Sequence, residues 1–481
     1  MKMNKRLWLI GAGIFLLAFF LRTYHFADRI NFETDNTRDA LVADYAKDHH
    51  KWPLIGQVTS AGPFYYGPWW YWFLSIVGRL PLGYLTYWYV AIVLSMIFII
   101  ITMAVGWEIG GIKLAVLAGI FASVSQAQVG NALSIWNPSI IPLLSLTSLF
   151  FLVRWFKYGK TKDFIGIGFF WSLAMTIHFQ TILTLPVLLV ALVSRRPGVK
   201  QGLLFLLFLA LPFIPLLIFD LKFDWYNSKS VYWYLTKGQY KIWVPNRWLT
   251  YAGEYWPKTW SYIIGGYQMI GGLLMSLISI LTLMSLRQWK KHVLFLLVAI
   301  VFVLEVILFR SYRGERFVYY SFFAHGTVII LSAWVVQRVL SINKWIGAIL
   351  FLMLVGGSLM QVGENMQQAT IVSYTRVASV KNALYQGFPN QKFALYGCKH
   401  TGFLSAYALS YLIYRDGMND GNGTKIGVCF EGDPIETRVL LTEELLVKDP
   451  VWYDKSALKV HKETLEWWID SPPDYFPWLY D

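Results

Sequence analysis

The chain has 481 residues, of which 56% are apolar, 18% aromatic and only 15% charged, with a formal net charge of +14. Apolar runs of about 15 to 24 residues recur from end to end, the pattern of membrane-crossing helices, and this excludes a soluble globular enzyme. The basic residues fall mostly in short connections between those runs, where they set topology; the charge is an orientation signal, and nucleic acid is not an expected partner.

The first run, Leu7 to Leu21, follows Lys2, Lys5 and Arg6, and no small-residue cleavage site precedes Arg22. It is expected to be a retained first helix with a cytoplasmic N-terminus. In the following TDNTRDALVADYAKDHH, Ala40, Leu41, Val42, Ala43 and Ala46 recur at helical spacing, with Thr34 or Asp35 placed to cap the first turn. Asp35 and Asp39 are four apart and share a helix face. Two carboxylates so close, beside a low-dielectric interface, can have one pKa raised and act as base for an acceptor hydroxyl. Spacing alone equally allows Asp35 to be only the N-cap and Asp39 only a partner of Arg38 or Arg29.

The apolar stretch Gly67 to Leu80 would put every later basic connection outside if it crossed the membrane, so it is expected at the external interface, as its Trp69, Trp70, Tyr71 and Trp72 favour. The expected spans are 7–23, 84–106, 113–129, 138–154, 164–179, 181–194, 201–219, 262–286, 293–309, 318–337 and 345–362, about eleven helices. Connections 154–162, 194–200, 287–292 and 337–344 are basic and belong in the cytoplasm, whereas 129–139 and 178–181 carry no Lys or Arg. That leaves 24–83, 220–261, 310–317 and the tail outside.

Segment 220–261 is crowded with Trp and Tyr and holds Lys222, Lys229, Lys237, Lys241 and Arg247. Aromatic faces such as Trp225 pack on sugars and lysines meet phosphate, although Trp and Tyr also collect at any membrane interface. Loop 310–317 carries Arg310, Arg313 and Arg316 where positive charge is topologically unfavourable. Guanidinium forks match phosphate oxygens, which suits a lipid-phosphate clamp; a salt-bridge set with Glu315, Glu305 or the acidic tail is the alternative. His178 and His325 fall near external helix ends, where structural hydrogen bonding is the plainer role. No motif with metal-ligand spacing occurs, so neither a metal nor another cofactor is expected, and no Gly-rich phosphate loop suggests a nucleotide-sugar donor.

After Thr370 the pattern changes: KFALYG (392–397) and KIGVCF (425–430) flank the turn-rich DGMNDGNG (416–423), which predicts a small soluble α/β domain over 370–481 beside a membrane domain over 1–369. Cys398 and Cys429 allow one disulfide if that domain is extracytoplasmic, or two separately buried thiols.

Several passages together resemble the GT-C superfamily of polytopic glycosyltransferases, in particular the bacterial subgroup similar to protein O-mannosyltransferases and aminoarabinose transferases. ETDNTRDALVADYAKD resembles the family's first-loop acidic motif and interfacial helix, and WPLIGQVTSAGPFYYGPWWYWFL its Gly/Pro/Tyr run. SIWNPSIIPLLSL (134–146) resembles the start of its fourth helix, MTIHFQTILTLPVLL (175–189) its His-bearing hairpin, and PLLIFDLKFDWYNSKSVYWYL (215–235) the opening of its large external loop. The resemblance implies an α-helical polytopic fold with interfacial helices in a bacterial plasma membrane. It implies inverting transfer from a polyprenyl-phosphate-linked sugar to a glycan, lipid or protein acceptor. Asp35 is then the base with Asp39 second, Arg310, Arg313, Arg316 and Lys222 meet the lipid phosphate, and Arg38, Tyr65, Tyr66, His178 and Trp225 meet substrate. One departure is that Asn36 follows Asp35 where protein O-mannosyltransferases show adjacent Asp-Glu. The competing class is a lipid-linked saccharide flippase, which should carry ionisable residues deep inside its helices; Glu305 is the main one here.

Overall fold

A computed structural model of the chain describes residues 5–59, 62, 64–238, 248–312, 316, 318–370, 372–397, 402–420, 422–429, 438–441 and 446–448. Every expected span overlaps apolar helix. Seven helical stretches among the described residues are long and apolar enough to cross a membrane. One of them, Gly83–Val124, is 42 residues long and would run about 63 Å if straight, twice the hydrocarbon thickness. It instead turns back at Gly111 (φ 69°, ψ −161°), a conformation that needs glycine, and so makes two passes. The span expected over 262–286 begins only at Gln268, because Gly265 (φ 104°) and Gly266 (φ 78°) end the preceding helix Trp256–Ile263.

Arg22 and Asp163, both buried in the bundle, have polar partners. Arg22, wholly buried, donates to Ser95 Oγ (2.8 Å) and to the carbonyls of Ala18, Ser123 and Ala122, the last two at the C-terminal end of the 86–124 helix where a cation is favoured. Arg154 bridges Glu108 and Asp163 at 2.9 Å each, and Lys157 joins Glu108.

The acidic stretch forms a helix, Thr34–Asp48, here called the first-loop helix. Its N-cap is Glu33 with no side-chain capping bond, so the expectation that Thr34 or Asp35 caps it is corrected; both sit inside the first turn. Ala40, Leu41, Val42, Ala43, Tyr45 and Ala46 are all almost wholly buried, although a surface helix would bury only one stripe. The reason is that it is covered on two sides. On one lies Trp69–Val77, whose nine residues span about 14 Å and cannot cross a membrane, with Ser75 donating to the Ala43 carbonyl. On the other lies the C-terminal segment.

That segment holds β1 (Phe393–Gly397), a helix Gly402–Arg415, β2 (Thr424–Cys429), β3 (Arg438–Leu441) and β4 (Leu446–Lys448), in the sheet order β1-β2-β4-β3. β1 and β2 are parallel with Leu395 opposite Ile426, so Gly402–Arg415 is their crossover helix, whereas β2–β4 and β4–β3 are antiparallel. The segment is docked rather than tethered. Asp416 accepts from Lys381 and Tyr385 (2.9 Å each) and from Tyr84, which belongs to the bundle, and the Thr370 and Phe32 amides tie the two chain regions by backbone bonds. Cys398 and the Cys429 side chain lie outside the described residues, and so does any pairing between them.

Candidate active site

On the first-loop helix, positions 35, 38 and 39 fall on one face, and Arg38 gathers both carboxylates. Its Nη1 donates to Asp35 Oδ1 at 2.6 Å, while Nε and Nη2 donate to Asp39 Oδ1 at 3.1 and 2.9 Å. Asp39 also accepts from Gln57 Nε2 and from the Tyr71 hydroxyl (3.4 Å). The two acids end in opposite environments: the Asp39 side chain is 0% exposed, that of Asp35 48%. Burial pushes the Asp39 carboxyl up to about 7 against the pull of Arg38, whereas Arg38, which burial alone would neutralise, is held firmly cationic by Asp35 and Asp39.

The Asp39 shift carries a stability consequence. Between about pH 4 and 7 the folded chain keeps a proton that the unfolded chain has lost, so stability falls as pH rises through that window, by at most about 1.4 kcal/mol per unit. Thermal unfolding midpoints of wild type should therefore drop relative to those of Asp39→Asn across this range; parallel curves would contradict the assignment.

A line of tyrosines leads away from Asp35. Tyr66 is set by two close backbone approaches: a Cβ at Gly56 would meet the Gly67 carbonyl, and Gly67 N donates to the Thr176 carbonyl at 2.6 Å. Tyr66 Oη then lies 3.1 Å from His178 Nε2, with the rings stacked at 4.8 Å. His178 Nδ1 accepts from the Gln180 amide (3.4 Å), which assigns the tautomer with Nε2–H donating to Tyr66. The ionisable groups acting on Tyr66 are Tyr320, Tyr319, Asp35 and Tyr234. Tyr312 in turn is hydrogen-bonded to Tyr320 and Tyr234 and acts on Arg316. Asp35 and Tyr234 act electrostatically on Tyr66, and Tyr312, bonded to Tyr234 and Tyr320, acts on Arg316, so these groups share one polar region.

At its far end the arginines lie on aromatic faces. Residues Tyr251–Tyr255 form a π-helical turn, a local widening common at functional sites, and their two rings are parallel. Arg316 sits 5.0 Å over Tyr251 and 5.7 Å from Phe309, and Arg310 sits 4.9 Å over Trp248. Arg316 Nη2 donates to the Tyr312 carbonyl at 3.0 Å, while its buried Nε has no hydrogen-bond partner among the described residues. A buried, unpaired guanidinium N–H is costly unless an anion meets it.

The other expected site residues are placed as follows. Arg313 lies outside the described residues. Lys222 is exposed at the end of helix Ile214–Lys222, and Trp225, in left-handed conformation (φ 59°), is 45% exposed at the start of Tyr226–Thr236. Tyr65 is buried, its amide donating to Asn227 Oδ1 at 2.6 Å, and Asp220 accepts from the Asn227 amide, so Tyr65 anchors the 220–228 turn. His325 is buried against Gln128 at 2.7 Å and Glu305 is buried within helix Trp289–Arg310. Gln57, Tyr71, Tyr312 and Tyr320 join the site without having been singled out as site residues; only Tyr71 lay in a segment marked by its aromatic density. Among the described residues no group of three or more His, Cys, Asp or Glu is placed to hold a metal ion.

No protein-family model matches the sequence, and no curated protein sequence matches it. Solved structures do. ArnT from Cupriavidus metallidurans bound to undecaprenyl phosphate superposes with a TM-score of 0.62 at 12% identity, covering 91% of this chain and 97% of that one. Its apo form gives 0.61 at 10%, over 91% and 96%. The Archaeoglobus fulgidus oligosaccharyltransferase in complex with Zn and sulfate gives 0.53 at 9%, over 88% of this chain and 68% of that one. The chain shares its overall fold with these solved structures.

Proposed function

We propose that this chain is a membrane glycosyltransferase that moves a sugar from a polyprenyl-phosphate-linked donor to an acceptor hydroxyl, with inversion, on the extracytoplasmic face. The observation that carries this reading is a half-exposed Asp35 carboxylate held by Arg38 together with arginines laid on Trp248 and Tyr251, one with an unpaired buried N–H among the described residues. Together they supply a base and an anion site. The fold it shares with an ArnT solved with undecaprenyl phosphate, and with an oligosaccharyltransferase solved with an acceptor peptide, supports a lipid-linked donor and a separate acceptor.

The acceptor O–H gives its proton to Asp35 as its oxygen attacks the anomeric carbon. The bond from that carbon to phosphate breaks, and its electron pair leaves on the lipid phosphate, where Arg316 and Arg310 meet the growing charge. Arg38 aims Asp35 through its 2.6 Å bond, and Asp39, itself held by Gln57 and Tyr71, fixes Arg38. The positive-inside rule, applied to the basic connections, supports putting this machinery and residues 370–481 outside the cytoplasm.

The guanidinium of Arg38 occupies the space between the two carboxylates where a divalent cation would bridge them. Transfer should therefore proceed unchanged in excess chelator. The test is labelled-sugar transfer from polyprenyl-phosphate donors by the purified chain in nanodiscs, with and without chelator; turnover abolished by chelator and restored by a divalent cation would overturn the arrangement.

A further inference from the structure

Residues 56–59 and 64–67 pair antiparallel, with Val58 opposite Tyr65 and the Tyr66 amide donating to the Gln57 carbonyl at 3.0 Å. In that register Gln57 stands opposite Tyr66, so both side chains leave one face, while Val58 and Tyr65 leave the other toward Leu216 and Phe219. The Gln57 side chain ends on Asp39, and the Tyr66 side chain ends on His178. Tyr66 is therefore the cross-strand neighbour of a residue that holds the acidic pair. Phe64, on the same face as Tyr66, packs with it against Phe179, the ring centroids lying 5.7 and 5.1 Å from that of Phe179.

The hydrogen bonds here run in one direction. The Gln180 amide donates to His178 Nδ1, so Nε2 carries the ring proton and donates to Tyr66 Oη at 3.1 Å. That leaves the phenol proton with no acceptor among the described residues. Gln180 spends its side-chain Nε2 on the Tyr319 carbonyl at 3.0 Å, and its buried Oε1 has no hydrogen-bond partner among the described residues. One donor and one acceptor thus stay uncommitted about the His178 ring, beside the half-buried ring of Phe179. A hydroxyl group, which both donates and accepts, satisfies such a pair, and the C–H face of a sugar suits the aromatic ring next to it.

We infer that Tyr66, Phe179 and Gln180 form the subsite that recognises a hydroxyl of the donor sugar, and that His178 is a positioning residue that turns the Tyr66 O–H toward that hydroxyl without touching the sugar. This rests on the function proposed above and names the group by which the site reads its donor. The arginines take the phosphate; this subsite takes the sugar.

The test measures binding to the full chain in nanodiscs of a panel of polyprenyl-phosphate-linked pyranosides and of polyprenyl methyl phosphate, which has the same diester charge and no sugar. Tyr66→Phe and Gln180→Met should each weaken the best-bound sugar lipid about tenfold, the scale of one lost hydrogen bond, and leave the methyl ester unchanged. His178→Phe keeps an aromatic ring and removes the Nε2 donor. It should cost as much as Tyr66→Phe, and the double variant no more than either, because the two residues act as one unit. One monodeoxy form of the same sugar lipid should bind wild type about tenfold more weakly, and Tyr66→Phe should no longer tell it from the intact sugar. Equal losses for sugar lipid and methyl ester in Tyr66→Phe and Gln180→Met overturn the subsite, and so does a wild type that binds every monodeoxy form as tightly as the intact sugar. Additive losses in His178→Phe and Tyr66→Phe overturn the positioning role of His178. Should Tyr66→Phe not fold, Gln180→Met and the monodeoxy series with wild type decide. If the sugar lipid is bound as expected but never transferred, the proposed function fails and the subsite stands.

Discussion

In Asp35→Asn, sugar transfer should fall by about a thousandfold while the chain inserts and unfolds at the wild-type temperature, the size of effect expected when a general base is removed. The argument is one of exposure. Asp35 and Asp39 share Arg38, but all of Asp39 is buried and its oxygens accept from Arg38, Gln57 and Tyr71, so no acceptor hydroxyl can reach it. Asp35 spends one oxygen on Arg38 and leaves nearly half its side chain open. Asparagine at 35 can still accept from Arg38 but cannot take a proton. The measurement is a single-turnover assay with donor in saturating amount, which separates chemistry from binding. Turnover within threefold of wild type would remove Asp35 from the mechanism. Substitution of Asp39 should act differently, weakening the hold on Arg38 and altering the pH dependence of stability.

Arg316→Ala should raise the donor KM by about 10- to 100-fold, because a hydrogen bond to a charged group contributes about 1.5–3 kcal/mol. Arg316 lies over Tyr251 and Phe309 with its buried Nε unpaired among the described residues, an arrangement that costs free energy until an anion arrives. Lysine at 316 should recover only part of the affinity, since it offers a point charge in place of a planar fork and stacks less well. Titration of the empty nanodisc-embedded chain with polyprenyl phosphate gives the same answer without chemistry. Equal affinity in wild type and Arg316→Ala would move the phosphate site elsewhere.

Much of this was legible in local pattern. Apolar run lengths located the bundle, and the four-residue step from Asp35 to Asp39 placed both acids on one helix face. The alternation in KFALYG and KIGVCF marked β1 and β2. What local pattern could not carry is the division of roles between the two acids, because it is decided by Gln57 and Tyr71, which reach Asp39 from other elements. The cap was misplaced by one or two residues because Glu33, extended at ψ 179°, takes the position without a side-chain bond. Lys222 and Trp225 stand out by residue type in an aromatic segment, whereas the turn at 220–228 that presents them is organised by Asp220 and Asn227. The docking of the crossover helix was invisible for a similar reason: Tyr411 and Arg415 have meaning only opposite Tyr84 and Asp44, more than 300 residues earlier in the chain.

The most direct measurement follows a doubly labelled donor, sugar and lipid phosphate each marked, in nanodiscs holding the purified full chain and a panel of hydroxyl acceptors. The account predicts labelled sugar on the acceptor with inverted anomeric configuration, one lipid phosphate released per sugar transferred, and neither product in Asp35→Asn. Intact donor that is bound, and in liposomes moved between leaflets, with no free lipid phosphate would contradict it and identify a transporter.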